Sequence, residues 1–155
     1  MGITVCFALI RKRLFILGSA FMRLAMFTLE DILTPLALTV IIDHKVKEPE
    51  MRAFCEQAAG LIELFELEPM SEETLLKWYA EHEDEFREQL TGKRKNTLVL
   101  RALTRFKDQV HIENLYEAML AISISDKEYV KEESELIRSA ASIWGFSRPP
   151  FKVST

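Results

Sequence analysis

Glycine and proline are scarce, five of each in 155 residues. A turn-rich β fold needs more of both, and long runs of helical periodicity fill the chain instead. There are two cysteines, Cys6 and Cys55, with no CxxC spacing and no disulfide framework, so a reduced cytoplasmic protein is the default expectation. The net charge of −4 leaves no basic footprint for nucleic acid. His82 and His111 have no Cys or His partner nearby in sequence, so zinc spacing is absent. Gly-rich phosphate loops, HExxH and GxSxG are also missing, and the expectation is a protein that is not an enzyme. Cys55, beside the apolar Phe54, reads as a small core residue rather than a nucleophile.

Charge is unevenly spread. Residues 1–29 hold Arg11, Lys12, Arg13 and Arg23 and no acid, while the remaining 126 residues hold 16 basic and 24 acidic side chains. From Leu14 to Met22 only nine uncharged residues lie in a row, well short of the roughly 20 of a spanning helix. A signal peptide would put its basic residues before its apolar core and end on a small-residue exit, and the match here is loose. Cys6 stands where a myristoylation signal needs Ser or Thr. Three readings of the basic, apolar segment 1–27 stay open: an extra helix, a weak membrane-surface anchor, or an upstream extension with Met22 or Met26 as the natural start.

What is present is a helical domain over residues 28–146, followed by a tail, 147–155. Thr28 and Asp31 have the spacing of a helix N-cap pair, and Leu29, Leu33, Leu36 and Val40 then recur on one face. Pro35 inside this run predicts a kink or a late start. Pro49 suits the first turn of the next helix, whose buried stripe is Phe54, Ala58, Leu61 and Phe65. Ser71 with Glu72 and Glu73 opens a third run over 72–90, unbroken or in two pieces meeting near His82. Residues 93–107 form a basic helix with Leu98, Ala102 and Phe106 on one face. Its cations read as a solvated face balancing the acidic helix before it, or as a docking surface. Residues 110–125 supply Ile112, Leu115, Met119 and Ile122. A last helix near 131–144 supplies Ile137, Ala141 and Trp144 and ends at Gly145. The expectation is a single all-α domain of about seven helices.

Two short tracts raise a further question. "IDHKVKEPE" at 42–50 and "SDKEYVKEE" at 125–133 each place an Asp seven residues before a Glu at a break between helices. Shifting the chain by 83 residues pairs Ile32 with Leu115, Leu36 with Met119, Asp43 with Asp126 and Val46 with Tyr129. The same shift pairs Glu50 with Glu133, Phe54 with Ile137 and Ala58 with Ala141. Each half is then a helix, an acid at its end, a short turn, and a helix whose first turn holds Glu.

This constellation resembles the TerB-like family, the helical domain associated with tellurite resistance and also found in membrane-tethered DnaJ-like co-chaperones. Asp43, Val46 and Glu50 match the family's Asp-Gly-x-(Ile/Val) motif and its following Glu, as do Asp126, Tyr129 and Glu133. "IRSAASIWGF" at 137–146 is similar to the family's final helix. His44 and Lys127 replace the usual Gly, so each turn must form without glycine's freedom at positive φ. The resemblance implies a pseudo-two-fold pair of helix hairpins that brings Asp43, Glu50, Asp126 and Glu133 together.

Four carboxylates that close are tolerated if a hard divalent cation binds them, if some protonate, or if helix N-termini and lysines neutralise them. Metal ligands would be these four acids with His44 as an additional ligand, and the cation Ca²⁺ or Mg²⁺. The EF-hand pattern fails, because Lys45 and Lys47 occupy its third and fifth places and no Gly its sixth. The bland alternative has each Asp tethering its turn and each Glu sitting beside a helix dipole. By resemblance the protein is a non-catalytic module in a stress or tellurite-resistance response. It would act through protein partners, membrane-associated ones included, and a homodimer is compatible. The rivals are a divalent-metal sensor and a membrane-tethered co-chaperone-like domain. The location expected is cytoplasmic, or peripheral at the inner membrane.

Overall fold

The computed structural model describes residues 27–126 and 130–146. Among the described residues are six α-helices and no strand: α1 Leu29–Ile41, α2 Glu48–Leu64, α3 Glu72–Thr91, α4 Lys95–Thr104, α5 Gln109–Ser123 and α6 Lys131–Trp144. The readings made for residues 1–26, for Lys127 and Tyr129, and for the tail lie outside the described residues. No helix among the described residues is long and apolar enough to cross a membrane.

The described residues form one all-α domain of six helices. At His82, where a break was one of two expectations, α3 continues unbroken. The ring nitrogen Nδ1 bonds the Trp78 carbonyl at 2.7 Å, and Nε2 lies 3.1 Å from a Glu30 carboxylate oxygen. The imidazole also stacks on Trp78, so a polar ring in mid-helix is satisfied without a break. Pro35 gives no late start either. The Thr28 hydroxyl accepts the Asp31 N–H and the Asp31 carboxylate accepts the Thr28 N–H, a capping box that starts α1 before the proline is reached.

Helix α1 is the centre of the domain. Ile32, Leu33, Leu36, Ala37, Leu38, Val40 and Ile41 are all buried, and a helix apolar all round must be surrounded. It packs against α2, α3, α4 and α5, while α6 closes the bundle over α4 and α5. The buried positions of α4 are Val99 and Leu103, with Leu98 and Ala102 only partly buried at the edge. Phe106, the last residue of the expected stripe, is buried just beyond the helix, and α4 packs against α1, α3 and α6. The Trp144 indole N–H donates to the Leu103 carbonyl at 2.9 Å and locks the α4–α6 seam. Gly145, at φ +79°, ends α6 in a left-handed turn in which the Phe146 N–H reaches the Ala141 carbonyl.

Candidate metal site

Helices α1 and α5 end at two elbows, and α2 and α6 begin just beyond them. Glu50 and Glu133 each occupy the third position of the helix that follows. Neither helix has a side-chain cap on its N-terminus, since Lys47 and Val130 are the N-cap residues. Exposed amide N–H groups there favour nearby negative charge. Both Glu side chains nevertheless turn inward, each residue being only 1% exposed.

Asp43, Glu50 and Glu133 bring one carboxylate oxygen each to within 4.8 Å of one another. The two oxygens of Glu50 and the two of Glu133 are buried without a donor group bonded to them, and the Glu50 carboxyl lies within hydrogen-bonding reach of the Asp126 carboxylate. Burial, followed by Asp43 and Asp126, pushes the Glu50 pKa up to about 8. Burial, followed by Glu50, Asp43 and Asp126, does the same to Glu133. Lys47 opposes both shifts. A buried carboxyl answers nearby negative charge by holding its proton, unless something better neutralises it.

Asp126 touches this trio through Glu50 and adds its charge to both glutamates. Its side chain is 6% exposed and accepts from the Lys47 ammonium at 2.8 Å, so the base of one elbow bonds the acid of the other. His44 does not bring its ring to the cluster. It is exposed, and its contribution is backbone: φ is +62°, its N–H donates to the Ile41 carbonyl, and its carbonyl accepts from Arg87 of α3 at 3.1 Å. Asp43 completes the turn by accepting the Lys45 N–H at 2.9 Å. The position where glycine was missing is thus held in the left-handed region by a histidine. His44→Gly is expected to stabilise the fold by about 0.5–1 kcal/mol, seen as a higher urea midpoint at unchanged slope. A lowered midpoint would show that the histidine side chain contributes more than its strained backbone costs.

Tyr79 of α3 also reaches the site from the core. Its ring packs edge-on against Phe54, but its hydroxyl is buried without a partner and lies in the field of Glu83, Glu50 and Asp43. Burial and then Glu83 hold the phenol pKa above its usual value. Nothing in an i, i+3, i+4 pattern distinguishes a tyrosine facing an acidic site from one facing leucines. Cys55 is buried, and burial with Glu72 and Glu56 raises its thiol pKa, the opposite of an activated nucleophile. The basic stretch that leads into and forms α4 faces acids: Lys93, Arg94 and Arg101 line one cleft with Glu85 and Glu88 of α3. Arg105 lies 3.6 Å from the Asp31 carboxylate and over the Phe27 ring.

The donor set fits a cation. Carboxylate oxygens alone, without His or Cys, are the ligands of hard divalent ions. Ca²⁺ takes about six to eight oxygens in flexible geometry and suits a group of converging carboxylates, whereas Mg²⁺ keeps several of its waters and usually binds through only one or two carboxylates. No family model, curated protein or solved structure matches this chain.

Proposed function

We propose that this protein is a non-catalytic, TerB-like helical module whose two elbows jointly hold a hard divalent cation, Ca²⁺ before Mg²⁺. The single observation that carries the reading is the pair Glu50 and Glu133, buried with no donor group bonded to their carboxylate oxygens and gathered with Asp43. Two structural carboxylates with no ligand would be better served by amides or apolar side chains. A pseudo-two-fold repeat is supported by helix starts that obey the same shift: α2 begins at Glu48 and α6 at Lys131, 83 residues later. Occupancy would pull the hairpins together and so change the face offered to partner proteins in a stress or metal-ion response.

Thermal melting of chelator-stripped protein tests this. Ca²⁺ at about 100 times its dissociation constant adds roughly 2.7 kcal/mol, several degrees in melting temperature for a domain of this size. Mg²⁺ should give a smaller rise. Unchanged melting together with no calorimetric binding of Ca²⁺, Mg²⁺ or Mn²⁺ would end the reading.

A further inference from the structure

We propose that Lys47 is the resident counter-cation of the acidic site, which a divalent ion must displace, and that Asp126 then becomes the fourth carboxylate ligand. The proposal rests on the cation reading above and adds its regulation. Lys47 is the N-cap residue of α2, in extended backbone, and from there its stem crosses to the other elbow to put Nζ 2.8 Å from Asp126 Oδ2. The ammonium is also close enough to oppose the effect of the acids on both Glu50 and Glu133. One lysine therefore faces three of the four acids of the site.

The two partners differ in their freedom to leave. The Lys47 side chain is 31% exposed, and a four-carbon stem lets its charge swing into water while its methylenes stay against the protein. Asp126, at 6% exposure, has no such exit, and its buried charge favours a cation beside it. When Lys47 leaves, the buried Asp126 carboxylate, already in contact with Glu50, turns its charge to the incoming ion. Like charges repel strongly in so dry a place, so ion and ammonium exclude one another. The consequence is a site of lowered affinity with two states, one bridged by lysine and one by the divalent ion. Ligand charge is what tunes calcium sites between buffer and sensor ranges, and here the tuning is done by an internal competitor.

Calorimetric titration of the chelator-stripped full chain with CaCl₂ tests the exchange. Lys47→Met is expected to bind Ca²⁺ at least roughly tenfold more tightly than wild type, and Lys47→Arg, which keeps the charge, to stay near wild type. Adding Asp126→Asn to Lys47→Met should remove the gain. Lys47→Gln retains a polar head should the methionine variant fail to fold. Wild-type protein that binds Ca²⁺ while Lys47→Met and Lys47→Gln bind no tighter would overturn the exchange and leave the cation reading intact. A double variant that keeps the whole gain would remove Asp126 from the ligand set and overturn it equally. If neither wild type nor the lysine variants bind, both readings fall together.

Discussion

In chelator-treated protein, Glu133→Gln is expected to raise the melting temperature by several degrees at pH 8.5, to change it little at pH 5, and to abolish the response to Ca²⁺. The Glu133 pKa is pushed up to about 8 in the folded protein by burial, by Glu50 and by the two aspartates, against an ordinary value near 4.3 in an unfolded chain. The folded state therefore holds a proton that the unfolded state has lost. Stability from this group is fully present below about pH 4, falls as pH rises toward 8, and levels off above that. Across the falling part the slope is at most about 1.4 kcal/mol per pH unit for one proton. Glu50 has the same sign, and because the two acids interact, the protons leave as a coupled pair. An amide at 133 does not titrate, so the advantage of the variant grows through this window. Saturating Ca²⁺ should flatten the pH dependence of the wild type, since the ion takes the place of the protons. Wild-type melting that is level, or that rises, between pH 5 and 8 in chelator would refute the account.

Phe54→Ala should cost about 3–5 kcal/mol and lower the melting temperature by 10 °C or more. Phe54 is fully buried on α2, one turn beyond Glu50, with its ring against Tyr79. Truncation leaves a void that the packed helices α1, α2 and α3 cannot collapse around without shifting. Equilibrium unfolding in urea measures it, and a loss under 1 kcal/mol would mean that the site rests on some other part of the core.

Much of this architecture could be read from residues whose reasons are local. Thr28 with Asp31, Ser71 and Gly145 mark helix ends because each acts within four residues of itself, and all three do so in the structure. The acids at 43, 50 and 133 were legible from apolar register, since a shift that aligns buried positions also aligns what lies between them. The rest depends on contacts that no window contains. His82 leaves α3 unbroken because Glu30 lies across from it, 52 residues away in sequence. Lys47 looked like an obstacle to metal binding when judged by its place in a loop; its partner Asp126 is 79 residues distant. The ring of His44 was a reasonable ligand candidate on composition, and the turn turned it outward.

The cross-elbow geometry bears also on the order of events in folding. With 83 residues between Glu50 and Glu133, the ion's cage comes into being only when both hairpins have docked, after most local contacts are made. A ligand that recognises so late a feature acts mainly on escape from the native basin: it lengthens the lifetime of the finished chain and leaves the speed of arrival nearly as it was.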